Sequence, residues 1–73
     1  MEFQTKRHYK VKGFHQSCPH NYMQKLLSLG FIPESQFYIE KKALFGNPYH
    51  ITIKNFSVSL RNSELQYIEV ESL

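Results

Sequence analysis

The sequence predicts a mainly β fold, a small barrel of about five strands with one inserted α-helix. Three observations carry that reading. The second half of the chain alternates apolar and polar residues with period two and shows no helical period. Turn chemistry separates these short runs at intervals of about 8 to 12 residues, the spacing of barrels and sandwiches. Finally, 73 residues make a single domain, 1–73, which can close only a small barrel.

The first strand is read at Tyr9-Lys10-Val11-Lys12, where apolar and polar side chains alternate, with Gly13 marking a bulge or bend before Phe14. The helix follows over about residues 19–29, starting at Pro19 and ending at Leu29. Pro19 suits a first position that needs no backbone donor. Met23, Leu26 and Leu27 share one face at i, i+3 and i+4, and Gly30 suits a left-handed cap. Phe31 then leaves the helix toward the core. Phe37 and Ile39 alternate with Tyr38 and Glu40, Tyr49, Ile51 and Ile53 with His50, Thr52 and Lys54, and Phe56, Val58 and Leu60 with Ser57 and Ser59. Phe45-Gly46-Asn47-Pro48 supplies the turn between the first two of these strands, and Lys54-Asn55 a tight turn between the second and third. Ile68 and Val70 form a short last strand.

A core this small gives a stability of only about 3 to 5 kcal/mol. The five Tyr and six Phe partly offset the size, because each aromatic side chain buries roughly 150 to 250 Å². One cysteine makes no internal bridge, which suits a reducing compartment. The charged N-terminal residues do not form a signal peptide, and no apolar run reaches the roughly 20 residues of a membrane helix. A cytoplasmic protein is expected. The net charge of +3 is unevenly placed, with Lys6, Arg7, Lys10 and Lys12 near the start and Glu64, Glu69 and Glu71 near the end. Pairing of the first and last strands sets these two groups against each other.

Catalytic chemistry has little to stand on. The chain contains no aspartate, and no Ser or Cys lies in an elbow or triad context. Gly13, Gly30 and Gly46 build no phosphate-cradling loop. Glu69 and Glu71 share a strand face, where solvation or ion pairing is the expected role. An enzyme is not expected, and no cofactor is implied. His15, Cys18 and His20 put three nitrogen or sulfur donors within six residues, a set that binds a transition metal if the loop folds around one centre. The spacing matches no standard zinc motif, and a polar loop entering the helix is the plainer reading.

Three signals occur in order along the chain: Leu29-Gly30 followed by Pro33, then Gly46-Asn47-Pro48, then Leu60-Arg61-Asn62-Ser63-Glu64. This succession resembles the FeoA family, small cytosolic partners of the bacterial ferrous iron transporter. The resemblance implies an SH3-like barrel and a non-catalytic adaptor of ferrous iron transport that binds the membrane transporter FeoB, the chain itself being a monomer or weakly self-associating. Small barrels bind through loops and edges with aromatic anchors. The contact candidates are therefore Lys25 and Leu26 on the helix and Leu44, Phe45, Asn47 and Tyr49 around the Gly-Asn-Pro loop. Leu26 and Tyr49 read more readily as core, and Leu44 and Phe45, whose apolar pair breaks the strand alternation, fit core and surface alike. Glu34 stands where the family has glycine after the proline, so a positive φ there would be strained. Asn47 replaces the family's aspartate, and Arg61 is expected to hold carbonyl groups or a carboxylate such as Glu64. The alternatives are a small basic barrel that binds nucleic acid and metal binding through His15, Cys18 and His20.

Overall fold

The computed structural model describes residues 3–73. Five strands form one antiparallel sheet in the order β4-β3-β2-β1-β5: β1 (Arg7–Phe14), β2 (Gln36–Lys42), β3 (Tyr49–Ile53), β4 (Phe56–Leu60) and β5 (Ile68–Ser72). Helix α1 (His20–Ser28) joins β1 to β2, and a one-turn helix α2 (Asn62–Leu65) joins the two edge strands β4 and β5. Among the described residues no helix is long and apolar enough to cross a membrane.

Period-two patterning becomes a core because one face of the sheet is buried. Tyr9 and Val11 of β1, Phe37 and Ile39 of β2, Tyr49, Ile51 and Ile53 of β3, Leu60 of β4 and Ile68 of β5 all face inward. Leu26 of α1, Leu65 of α2 and, outside the regular elements, Phe3 and Phe31 complete the cluster. The predicted bulge lies at Gly13, where the β1–β5 register shifts between Val11 and Gly13. A second shift between Ile39 and Lys41 has no glycine to announce it. Lys54 and Asn55 both take positive φ, 48° and 71°, which is the two-residue turn that suits the twist of a hairpin.

Helix α1 is bounded as expected to within a residue, with Pro19 at the N-cap and Leu29 at the C-cap. Gly30 has φ +109°, and its N–H donates to Leu27 O. Three readings change. The sequence reading had one helix, and α2 is a second. Phe56 stands 49% exposed because the inner face of β4 is open at the hairpin end. Phe3, outside every predicted element, is buried against Tyr9, Phe37 and Tyr49, with ring centroids 5.1, 6.2 and 6.0 Å away.

First and last strands do pair, and Lys12 reaches Glu71 at 3.7 Å. Part of the basic charge also goes elsewhere: Glu34 takes Lys12 at 3.1 Å and Lys10 at 3.6 Å. These contacts hold the Glu34 carboxyl below the usual carboxylate range, through its bond to Lys12 first.

Candidate partner-binding surface

The six contact candidates separate by burial. Leu26 has no exposed surface and Tyr49 only 2%. Leu26 is the one buried residue of α1, pinning the helix to the core, and Tyr49 opens β3 inside the barrel. Both are corrected to core residues, because a side chain without accessible area anchors no partner. The Lys42 ammonium lies over the Tyr49 ring, 5.8 Å from its centroid.

Leu44 and Phe45 are the opposite case, 80% and 96% exposed. They form the tip between β2 and β3, a short 3-10 turn, Leu44–Gly46. Its base is tied by Ala43 N–H to Pro48 O at 2.9 Å and by Gly46 N–H to Ala43 O at 3.0 Å, and the Asn47-Pro48 peptide is cis. Phe45 sits at φ 65°, a left-handed conformation costing an aromatic residue about 1 kcal/mol or more. The turn therefore holds two large apolar side chains in water.

Lys25 and Asn47 are exposed or half-buried, and each serves α2. The Lys25 ammonium bonds Glu64 Oε2 at 2.9 Å and lies 5.9 Å from the Tyr22 ring. Glu64 turns its other oxygen back to accept from the Arg61 N–H at 3.0 Å, while Asn47 Oδ1 accepts from the Asn62 N–H at 2.8 Å. Two of the helix's free N–H groups are thus satisfied by side chains. Burial pushes the Glu64 carboxyl up, but the Lys25 bond and the Arg61 N–H outweigh it and leave it below the usual range. The same bond raises Lys25. Arg61, an exposed residue, bonds Glu64 through its backbone N–H, and its charge adds a smaller lowering of the Glu64 carboxyl.

The three metal candidates form no ready cluster. Among the described residues no three His, Cys, Asp or Glu side chains come together to hold an ion. His15 Nδ1 is 2.7 Å from Ser17 Oγ, His20 Nε2 is 3.1 Å from Gln24 Nε2, and Cys18 is buried with its thiol toward Pro19 O. A shallow cavity of about 270 Å³ between this turn and α2 is lined by His15, Ser17, Gln66 and Tyr67, without a carboxylate or thiol.

The Lys25–Glu64 bond went unread because its partners are 39 residues apart. A signal for α2 was present, since a carboxylate three residues after a chain turn is one half of a capping box.

Against known families, the FeoA domain matches residues 1–72. The chain belongs to the FeoA family. A FeoA-like protein from Clostridium acetobutylicum is similar at 33% identity and TM-score 0.87, over 99% of this chain and 81% of that one. An iron(II) transport protein A from Clostridium thermocellum is similar at 27% identity and TM-score 0.88, covering 97% of this chain and 43% of that one. FeoA of Stenotrophomonas maltophilia, a prokaryotic SH3 domain protein solved in complex with zinc, shares the fold at TM-score 0.82 and 19% identity, over 96% and 85% of the two chains. The mainly β, SH3-like architecture read from strand patterning is that of these FeoA structures. Glu34, where the FeoA resemblance expected glycine, does take positive φ, 76°.

Proposed function

We propose that this chain is a non-catalytic cytosolic adaptor of ferrous iron uptake that docks on the FeoB transporter through the Leu44-Phe45 tip. The observation that carries the reading is the exposure of these two side chains on a turn held at both ends. Water-exposed Leu and Phe side by side gain about 1.5 to 3 kcal/mol each when a partner covers them, and aromatic anchors of this kind dominate small interfaces. FeoA membership and the similarity to an iron(II) transport protein A support a role in ferrous iron transport. Among the described residues the hydroxyl–imidazole pairs, Ser17 with His15 and Ser59 with His50, are exposed surface contacts, and the polar contacts at Glu64 serve helix capping.

The test is co-purification of the tagged chain with detergent-solubilised FeoB, in moderate salt, with GDP and with a non-hydrolysable GTP analogue. Retention that is lost on changing Leu44 and Phe45 both to Ser, with an unchanged circular dichroism spectrum, supports the docking surface. Retention by the double variant moves the contact elsewhere. No retention of the folded wild type in either nucleotide removes FeoB as the direct partner. RNA binding that falls steeply with salt would favour a nucleic-acid role instead.

A further inference from the structure

Strand β4 is one edge of the sheet, and its outer side meets no other strand among the described residues. The two-residue turn at Lys54 and Asn55 decides which backbone groups point that way. Ile53 and Phe56 close the hairpin as a hydrogen-bonded pair, so alternation along the register also turns Val58 and Leu60 toward β3. The N–H and C=O groups of Ser57 and Ser59 then face away from the sheet. Among the described residues, neither takes part in a backbone hydrogen bond outside the strand ladders.

Exposed edges are ordinarily blunted by charge, proline, a bulge or a cover. The other edge, β5, carries Glu69 and Glu71, and two copies of it aligned antiparallel about Val70 would set glutamate against glutamate. Strand β4 reads Phe56-Ser57-Val58-Ser59-Leu60, without charge or proline, and its register with β3 runs unbroken. It is also self-complementary. Antiparallel pairing about Val58 brings Ser57 opposite Ser59 of a second copy, Phe56 opposite Leu60 and Val58 opposite Val58. In that register the outward groups of Ser57 and Ser59 meet as hydrogen-bonded pairs, and Val58 falls at the non-bonded position where side chains approach closest. Lys54 and Arg61, the nearest charges along the chain, lie beyond the two ends of the paired segment.

We propose that β4 is a self-association edge, pairing antiparallel with β4 of a second copy of this chain about a two-fold axis through Val58. The pairing covers Phe56, extends the sheet to ten strands and places two Leu44-Phe45 tips on one particle. It rests on the strand edge and stands or falls apart from FeoB docking.

Sedimentation equilibrium from micromolar to millimolar protein tests it, together with amide exchange on the wild-type chain. The mass should rise toward a dimer with concentration, and the exchange of the Ser57 and Ser59 amides should slow in step. Changing Ser57 and Ser59 both to Lys places lysine against lysine and should weaken association roughly tenfold or more. An equimolar mixture with the corresponding double Glu variant should restore it. A wild type that stays monomeric throughout, a dimer untouched by the lysines, or association without slowed exchange at Ser57 and Ser59 would each overturn the proposal. The exchange measurement needs no substitution and decides the matter if a variant fails to fold.

Discussion

At the scale of the residue, two glutamates show how one side-chain type takes different work from its surroundings. Glu64 is buried, bonds Lys25 and caps α2. Replacing it with Ala leaves the Arg61 N–H and the Lys25 ammonium without their acceptor, for an expected loss of about 1 to 3 kcal/mol. On a domain of this size each kcal/mol lowers the melting temperature by roughly 4 to 8 °C, so thermal unfolding at neutral pH reads the effect. Its carboxyl is held below the ordinary value in the folded state, so the unfolded chain takes up the proton first as pH falls. The contribution is therefore complete above the ordinary glutamate pKa and is lost as pH drops through the folded value. Unfolding of Glu64→Gln should depend less on pH in that acid range than wild type. Glu34 is exposed at φ 76° with Lys10 and Lys12 for partners. Glu34→Gly and Glu34→Ala both remove the pairing, but only Ala keeps the strain. The Gly variant should be the more stable by about 1 kcal/mol, the reverse of the usual order, as compared by urea midpoints.

At the scale of the element, α1 and the β2–β3 tip are opposites in what they can lose. The helix is fastened by one fully buried side chain, so Leu26→Ala should cost about 2 to 5 kcal/mol, depending on how far the site collapses. The tip touches no core, and the Leu44 and Phe45 double change to Ser should shift stability by no more than about 0.5 kcal/mol. Chemical denaturation of the two variants side by side checks the assignment. Equal losses would mean that the tip is packed and that its exposure is not the basis for docking. The strand patterns were legible because alternation follows from the geometry of an extended chain. The exposure of Phe56 was not legible, because alternation names the face it shares with Ile53 and not how much of that face is covered.

At the scale of the whole molecule, the segment before β1 stabilises the barrel it precedes. Phe3 contacts rings from three strands, Tyr9, Phe37 and Tyr49. Phe3→Ala should cost about 3 to 5 kcal/mol, close to the whole stability expected of so small a domain. Its melting transition should therefore fall toward room temperature, measurable by circular dichroism. One aromatic residue in a polar N-terminal stretch carries no period, and nothing local marks it as core.

The strands, the main helix and the tight hairpin turn were determined by the sequence, since period, propensity and turn chemistry act between residues close in the chain. The conflict at Glu34 was expected only through the FeoA resemblance, which puts glycine after Pro33. Tertiary structure alone decided that Leu26 and Tyr49 are interior while Leu44 and Phe45 face water, because one apolar residue type serves both places and only packing separates them. It also decided that Glu64 meets Lys25 and that His15, Cys18 and His20 stay apart. Electrostatic and coordinating contacts depend on distances in space, which chain spacing does not encode.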